Sequence, residues 1–220
     1  MSKIFGYDTD LKWDYENGFY LTSPLTRIAK LCAHLEIYKN IINLPGHIVE
    51  LGVLKGASLI RFATFRNIYE AENSRKIIGF DAYGKFPEQE SSNDKEFAKW
   101  FESNAGEGIS QDELKEVFDY KGLGNIELVQ GNILNTIPKY IEQHPELKIS
   151  LLHIDVDVYE PTKIALEHLY DRVVKNGVIV FDDYGTVAGE TQAVDEFFND
   201  KDVEILKPPI SHIPSYIVKK

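Results

Sequence analysis

The chain has 220 residues, 43% of them hydrophobic, with 12 Tyr, 12 Phe and a formal net charge of -11. That is enough apolar material for one sizeable core, which excludes a disordered chain. The charge opposes nucleic-acid phosphates and anionic membranes, so neither partner is expected. A single cysteine, Cys32, excludes an internal disulfide and a cysteine-based zinc cluster. It falls in an apolar helical pattern and reads as a core residue. The opening "MSKIFGYDTDLKWDYENG" lacks the apolar core of a secretory signal, and no run approaches the roughly 18 apolar residues of a membrane span. A cytoplasmic protein is the expectation.

In chain order, Leu25, Ile28, Ala29, Cys32 and Leu35 recur at the 3.6 period of an amphipathic helix. The pattern predicts a helix over about 25–43, stopped by "NLPG". "HIVELG" then reads as a short strand, followed by a helix over about 58–71. Further strands are predicted at "KIIGFDAYG", "NIELVQGN", "KISLLHIDVD" and "GVIVFDDYG", and helices at "EPTKIALEHLYDRVVKNG" and "AGETQAVDEFFND". The segments "DVEILKPP" and "PSYIVKK" read as two closing strands. Buried strands alternating with helices imply α/β architecture: a Rossmann-like, doubly wound, mostly parallel sheet of seven strands with a terminal antiparallel hairpin. One domain over residues 1–220 is expected, with an N-terminal helical segment to about residue 45. Residues 84–108 read as a mobile insertion over the site, with Trp13, Trp100 and Phe101 as candidate covers for an acceptor.

In "VELGVLKGAS" a strand delivers Glu50, Gly52 makes the turn, and Gly56 lets the backbone approach a ligand before the helix that begins near Ser58. The spacing is neither the dinucleotide fingerprint nor a phosphate loop. A carboxylate at Glu50 would oppose a pyrophosphate but favour an ammonium or sulfonium group, which points to a cationic cofactor. Asp81 ends the next strand, where acidic residues of such sheets accept hydrogen bonds from a ribose diol.

The series "IVELGVLKGAS", "GFDAYGKFP", "VQGN", "HIDVDVYEPT" and "IVFDDYG" resembles the class I S-adenosylmethionine-dependent methyltransferases, and more narrowly the macrocin O-methyltransferase family. The likeness covers about residues 22–200. It implies methylation of a sugar or nucleotide-linked sugar hydroxyl, with S-adenosylmethionine as methyl donor. It also implies that Glu50 and Gly52 line the methionine end of the cofactor, Asp81 and Ala82 its ribose, and Gly131 and Asn132 its adenine edge. Thr22 and Ser23 stand where family members touch the cofactor, and Ser58, Asp155 and Tyr159 complete the expected cofactor contacts. Leu54 and Lys55 depart from the family, where Trp and Arg are common.

Asp155, Asp157, Asp182 and Asp183 are expected at one sheet edge. In an extended strand Asp155 and Asp157 share a face, with His153 behind them as a packing or supporting residue. At about 4 Å and an effective dielectric near 20, each close ionised pair would cost roughly 4 kcal/mol, so the cluster needs protons or a cation. All-oxygen ligands select a hard ion such as Mg²⁺. Asp155, Asp182 and Asp183 are the predicted metal ligands, as the resemblance also implies. Asp157 is the expected general base and His212 the alternative. A catechol-type methyltransferase and a non-catalytic cofactor-binding module remain open, and the apolar N-terminal helix is compatible with a homodimer.

Overall fold

The computed structural model describes residues 3–85, 87 and 92–220. A short hairpin, β1 (Lys3–Ile4) and β2 (Tyr7–Asp8), precedes helices α1 (Lys12–Thr22) and α2 (Leu25–Lys39). The alternation then begins with β3 (His47–Leu51), α3 (Ala57–Tyr69), β4 (Ile77–Asp81), α4 (Ser92–Ala105), α5 (Gln111–Lys121) and β5 (Ile126–Gln130). It continues through α6 (Ile133–Gln143), β6 (Ile149–Ile154), α7 (Tyr159–Leu169), β7 (Val173–Phe181), α8 (Ala188–Phe198) and β8 (Ser215–Val218).

The main sheet has the order β5-β4-β3-β6-β7-β8, parallel throughout except that β8 runs antiparallel to β7. The chain winds outward from β3 to β5, then returns to lay β6 on the other side of β3. The carboxyl ends of β3 and β6 therefore flank the switch point, where open sheets of this kind bind ligands. Strand alternation sends Val49, Leu51, Leu152, Ile154, Ile179 and Phe181 to the side covered by α6, α7 and α8. Ile48, Leu151, Val178 and Val180 face α2, α3 and α5. Two apolar layers thus sandwich the sheet and bury its central strands β3, β4 and β6, which is why these are rich in β-branched residues.

The amino ends of the strands are closed by two buried arginines. Arg75 pairs with Glu70 at 2.8 Å and donates to the carbonyls of Ile41, Ile42, Leu44 and Gly46 and to Ser150 Oγ. Arg66 donates to the carbonyls of Arg75, Asn125 and Gly124. Each guanidinium satisfies loop carbonyls that water cannot reach.

Among the described residues the main sheet has six strands, not the predicted seven. "DVEILKPP" contributes only one bridge, Leu206 to Tyr216. Pro208 and Pro209 follow at once, and neither has an N–H with which to extend the ladder. Cys32 is exposed, against expectation. The buried stripe of α2 runs through Ala33, His34, Ile37 and Tyr38, and Cys32 sits one step outside it. Residues 84–108, read as an insertion, contain α4; within that range residues 86 and 88–91 lie outside the described residues. Among the described residues no helix is long and apolar enough to cross a membrane.

Candidate active site

At the end of β3, Gly52 adopts φ +84°. A Cβ there would lie 1.7 Å from the carbonyl oxygen of Asp155, so only glycine lets the β3 and β6 loops close on each other. Asp155 N donates to Leu51 O at 2.9 Å, which ties the two strand ends together. Next to this junction opens a cleft whose empty space, including the part open to solvent, is about 910 Å³. Gly52 and Leu54 line it from β3, Asp81 and Ala82 from β4, and Gly131 and Asn132 from β5. Residues 155–158 close one side, and Phe101 and Glu102 of α4 reach its wall.

The Asp81 carboxylate accepts Val53 N at 2.6 Å, Leu54 N at 3.0 Å and Tyr83 N at 2.6 Å. It braces the glycine turn and keeps lone pairs for a ligand hydroxyl, because a carboxylate offers about four acceptor sites. Asn132 caps α6 by accepting Leu134 N at 3.0 Å. The cleft floor is therefore pre-formed from strand ends and helix starts.

The carboxylates divide into two groups. One oxygen each from Asp155, Asp157 and Asp183 lies within 4.8 Å of the others, a set of hard donors of the kind Mg²⁺ requires. Strand β6 stops at Ile154, and Asp157 adopts φ +63°. Asp155 and Asp157 therefore converge through a turn rather than along one strand face. Asp182 adjoins this group, close enough to repel Asp155 and Asp183, but is turned toward α2. It continues the alternation of Val178 and Val180 toward α2, whereas Asp183 falls on the opposite side. Asp182 pairs with Lys30, lies 3.3 Å from His153 Nε2 and 3.7 Å from His34 Nε2.

Register places Glu50 beside His153, and their nearest charged atoms are 3.7 Å apart. Glu50 is fully buried, accepts Ser58 Oγ at 2.7 Å and does not line the cleft. His153, wholly buried, is pushed up to about 10: burial opposes its charge, but Asp182 and Glu50 outweigh it. Burial likewise disfavours the Asp182 anion, yet His153, His34 and Lys30 hold its carboxyl well below the usual range. Burial lowers His34 to about 4. A cluster of alternating charges, Glu50–His153–Asp182–Lys30, thus lies behind the strand ends.

Sequence reasoning missed Lys30 and His34, which stand four residues apart on the buried side of α2. A lysine and a histidine inside an apolar stripe were the available signal. It also missed Glu190, a buried residue of α8 that accepts Asp183 N at 2.9 Å while its own N–H donates to Asp157 O at 3.1 Å. Of the other candidates, Thr22 bonds Gly18 O at the end of α1, and Ser23 follows it; neither lines the cleft. Tyr159 turns away to donate to Glu196. His212 is exposed and does not line the cleft either.

Asp157 is held up to about 8, first by burial and then by Asp183. Burial and Asp182 also raise Asp155 and Asp183, and burial and Asp183 raise Glu190. A carboxyl whose folded pKa exceeds its unfolded value stabilises the fold while protonated, and that contribution fades as pH climbs through the folded pKa. Without a cation, these carboxyls are expected to cost the fold on the order of a few kcal/mol as pH rises from about 4 to 8, partly offset below about pH 6.5 by the buried neutral His34. Magnesium is expected to restore that stability. Thermal unfolding across that range, with and without magnesium chloride, checks both; a melting temperature that magnesium leaves unmoved at the alkaline end contradicts the expectation.

The wound sheet, the glycine turn and the acidic strand ends define a Rossmann-like methyltransferase fold. Residues 24–218 match the family described as macrocin-O-methyltransferase (TylF), and the chain belongs to that family. It is 26% identical over 145 residues to 8-demethyl-8-(2,3-dimethoxy-alpha-L-rhamnosyl)-tetracenomycin-C 4'-O-methyltransferase of Streptomyces olivaceus, covering 64% of this chain and 53% of that protein. It is 27% identical over 160 residues to demethyldecarbamoylnovobiocin O-methyltransferase of Streptomyces niveus, covering 70% of this chain and 59% of that one. The chain thus spans between about half and three fifths of the length of the curated relatives it matches. Among solved structures, the calicheamicin methyltransferase CalS11 aligns with a TM-score of 0.79 and 25% identity, over 96% of this chain and 86% of that one. The O-methyltransferase NovP aligns with a TM-score of 0.76 and 24% identity over 88% and 80%, a likeness of fold.

Proposed function

We propose that the protein transfers a methyl group from S-adenosylmethionine to a hydroxyl of a sugar or nucleotide-linked sugar, with Mg²⁺ at the acidic cluster. The convergence of Asp155, Asp157 and Asp183 beside the Gly52 turn and Asp81 carries this reading, since it sets a hard-cation site against the cofactor cleft. The donors fit the ion: they are all oxygen, half-buried or buried, and burdened with mutual repulsion that a divalent cation relieves. The cleft fits the cofactor: glycine leaves its floor bare, and Asp81 keeps acceptor capacity at the ribose position. The sugar acceptor is supported by the Streptomyces olivaceus relative, whose name gives a rhamnosyl compound and a 4'-O-methyltransferase.

When bound, the sulfonium cofactor supplies the methyl group and the cation supplies Lewis acidity toward an acceptor oxygen. The chain's own residues do the remaining work. Asp155 and Asp183 supply cation ligands, and Asp182 lies next to them as a further candidate ligand. Asp157, raised to about 8 without a cation, would be ionised beside one and so able to take the acceptor's hydroxyl proton. Glu190 fixes the distance between the Asp157 and Asp183 loops through its two hydrogen bonds. Asp155 is tied to the end of β3 through its backbone bond to Leu51, and Phe101 and Glu102 of α4 line the cleft opposite.

Calorimetric titration with S-adenosylmethionine, followed by turnover on a panel of nucleotide sugars with and without EDTA, tests the reading. Saturable cofactor binding and EDTA-sensitive methylation of a sugar hydroxyl are expected. Cofactor binding with no transfer to any sugar, or transfer untouched by EDTA, would overturn the acceptor or the metal assignment respectively.

A further inference from the structure

Lys30 belongs to α2, far in sequence from the strand ends, yet its ammonium pairs with Asp182. Its side chain is only 18% exposed. The charged groups around it are Asp182, Asp155 and Asp183, with Asp182 exerting the largest attraction. Arg61 of α3 also lies within the field of Asp182, Glu50 and Asp155, and the His153 imidazolium stands on the other side of Asp182. Opposed to these cations are six buried or half-buried carboxylates: Glu50, Asp155, Asp157, Asp182, Asp183 and Glu190. A lysine ammonium here does what a metal ion would do, at one unit of charge instead of two.

We propose that Lys30 is the resident counter-cation of the acidic cluster, competing with a divalent ion for Asp182 and so limiting how tightly the cluster holds that ion. The inference rests on the reading of the cluster as a Mg²⁺ site. While Lys30 holds Asp182, the ion has Asp155 and Asp183 as ligands, with Asp157 close beside them. To gain Asp182 as a further ligand, it must displace the ammonium, whose flexible four-carbon stem allows it to swing toward solvent. Either way the ion enters against a positive charge in a partly desolvated site, where charge repulsion is poorly screened. Lys30 is thus a positioning residue that keeps the cluster ordered when no ion is bound and tunes the site's affinity.

Calorimetric titration of the full chain with magnesium chloride, in wild type, Lys30→Met and Lys30→Arg, is the test. Lys30→Met is expected to bind Mg²⁺ about tenfold more tightly. Lys30→Arg, which keeps the charge, is expected to stay within about threefold of wild type. Equal or weaker binding by Lys30→Met would overturn the proposal while leaving the metal site intact. Absence of Mg²⁺ binding by all three would remove the metal site and the proposal together. Should Lys30→Met fail to fold, the wild type still decides. Acylation of the Lys30 amine, followed by peptide mass spectrometry, is expected to quicken severalfold at saturating Mg²⁺, and an unchanged rate would reject displacement of the ammonium.

Discussion

Asp157→Asn is expected to lower kcat by about 10²- to 10⁴-fold while leaving S-adenosylmethionine affinity within about threefold of wild type. Asparagine has nearly the same shape but no basic carboxylate with which to take the hydroxyl proton. It also tolerates the positive φ of this position better than almost any other residue, so the loop should keep its path. Asp157 is only 8% exposed, and its raised pKa shows that the site favours a neutral side chain. The variant should therefore be at least as stable as wild type at neutral pH without metal, which separates lost chemistry from lost structure. Steady-state kinetics on the accepted sugar, with calorimetry for the cofactor, provide the measurement. A kcat within about twofold of wild type would remove Asp157 as the base.

Gly52→Ala is expected to be damaging in a different way. The left-handed conformation alone costs roughly 1–2 kcal/mol for an alanine. The larger penalty is steric, because the new methyl would overlap the Asp155 carbonyl, a backbone atom that cannot rotate aside. Residues 155–158 must shift, and with them both the Asp155–Asp157 geometry and the cleft wall. A loss of several kcal/mol in thermal or denaturant unfolding is expected, with cofactor affinity reduced by about tenfold or more. Wild-type melting and wild-type affinity in this variant would mean that the β3 and β6 loops are not locked together as described.

Much of the cleft was legible because its residues mark strand ends. Gly52, Asp81, Ala82, Gly131, Asn132, Asp155 and Asp157 each follow a short apolar run, and a parallel sheet gathers such ends at one edge. What the pattern could not supply was side-chain direction. Asp182 and Asp183 are adjacent in sequence, so alternation sends them to opposite faces, but which face holds α2 depends on strand order. Lys30 and His34 were lost for a related reason: a search for apolar periodicity passes over polar residues in the stripe it finds. Residues 84–108 read as an insertion because α4 is mostly polar, with Phe97 stacked on Phe101 and in contact with an exposed Trp100. The sequence pattern predicted no helix at α5, whose start is fixed by the reciprocal Ser110–Glu113 cap.

The guanidinium of Arg75 grips the carbonyls of Ile41, Ile42 and Leu44 just past the end of α2. That helix is also deeply embedded from Ala33 to Tyr38, whereas Leu25, Thr26 and Arg27 at its start face solvent. The helix is thus anchored at the foot of the sheet, and its start is the end that water surrounds. Lys30 lies between the two, where its ammonium is partly wet and still paired with Asp182.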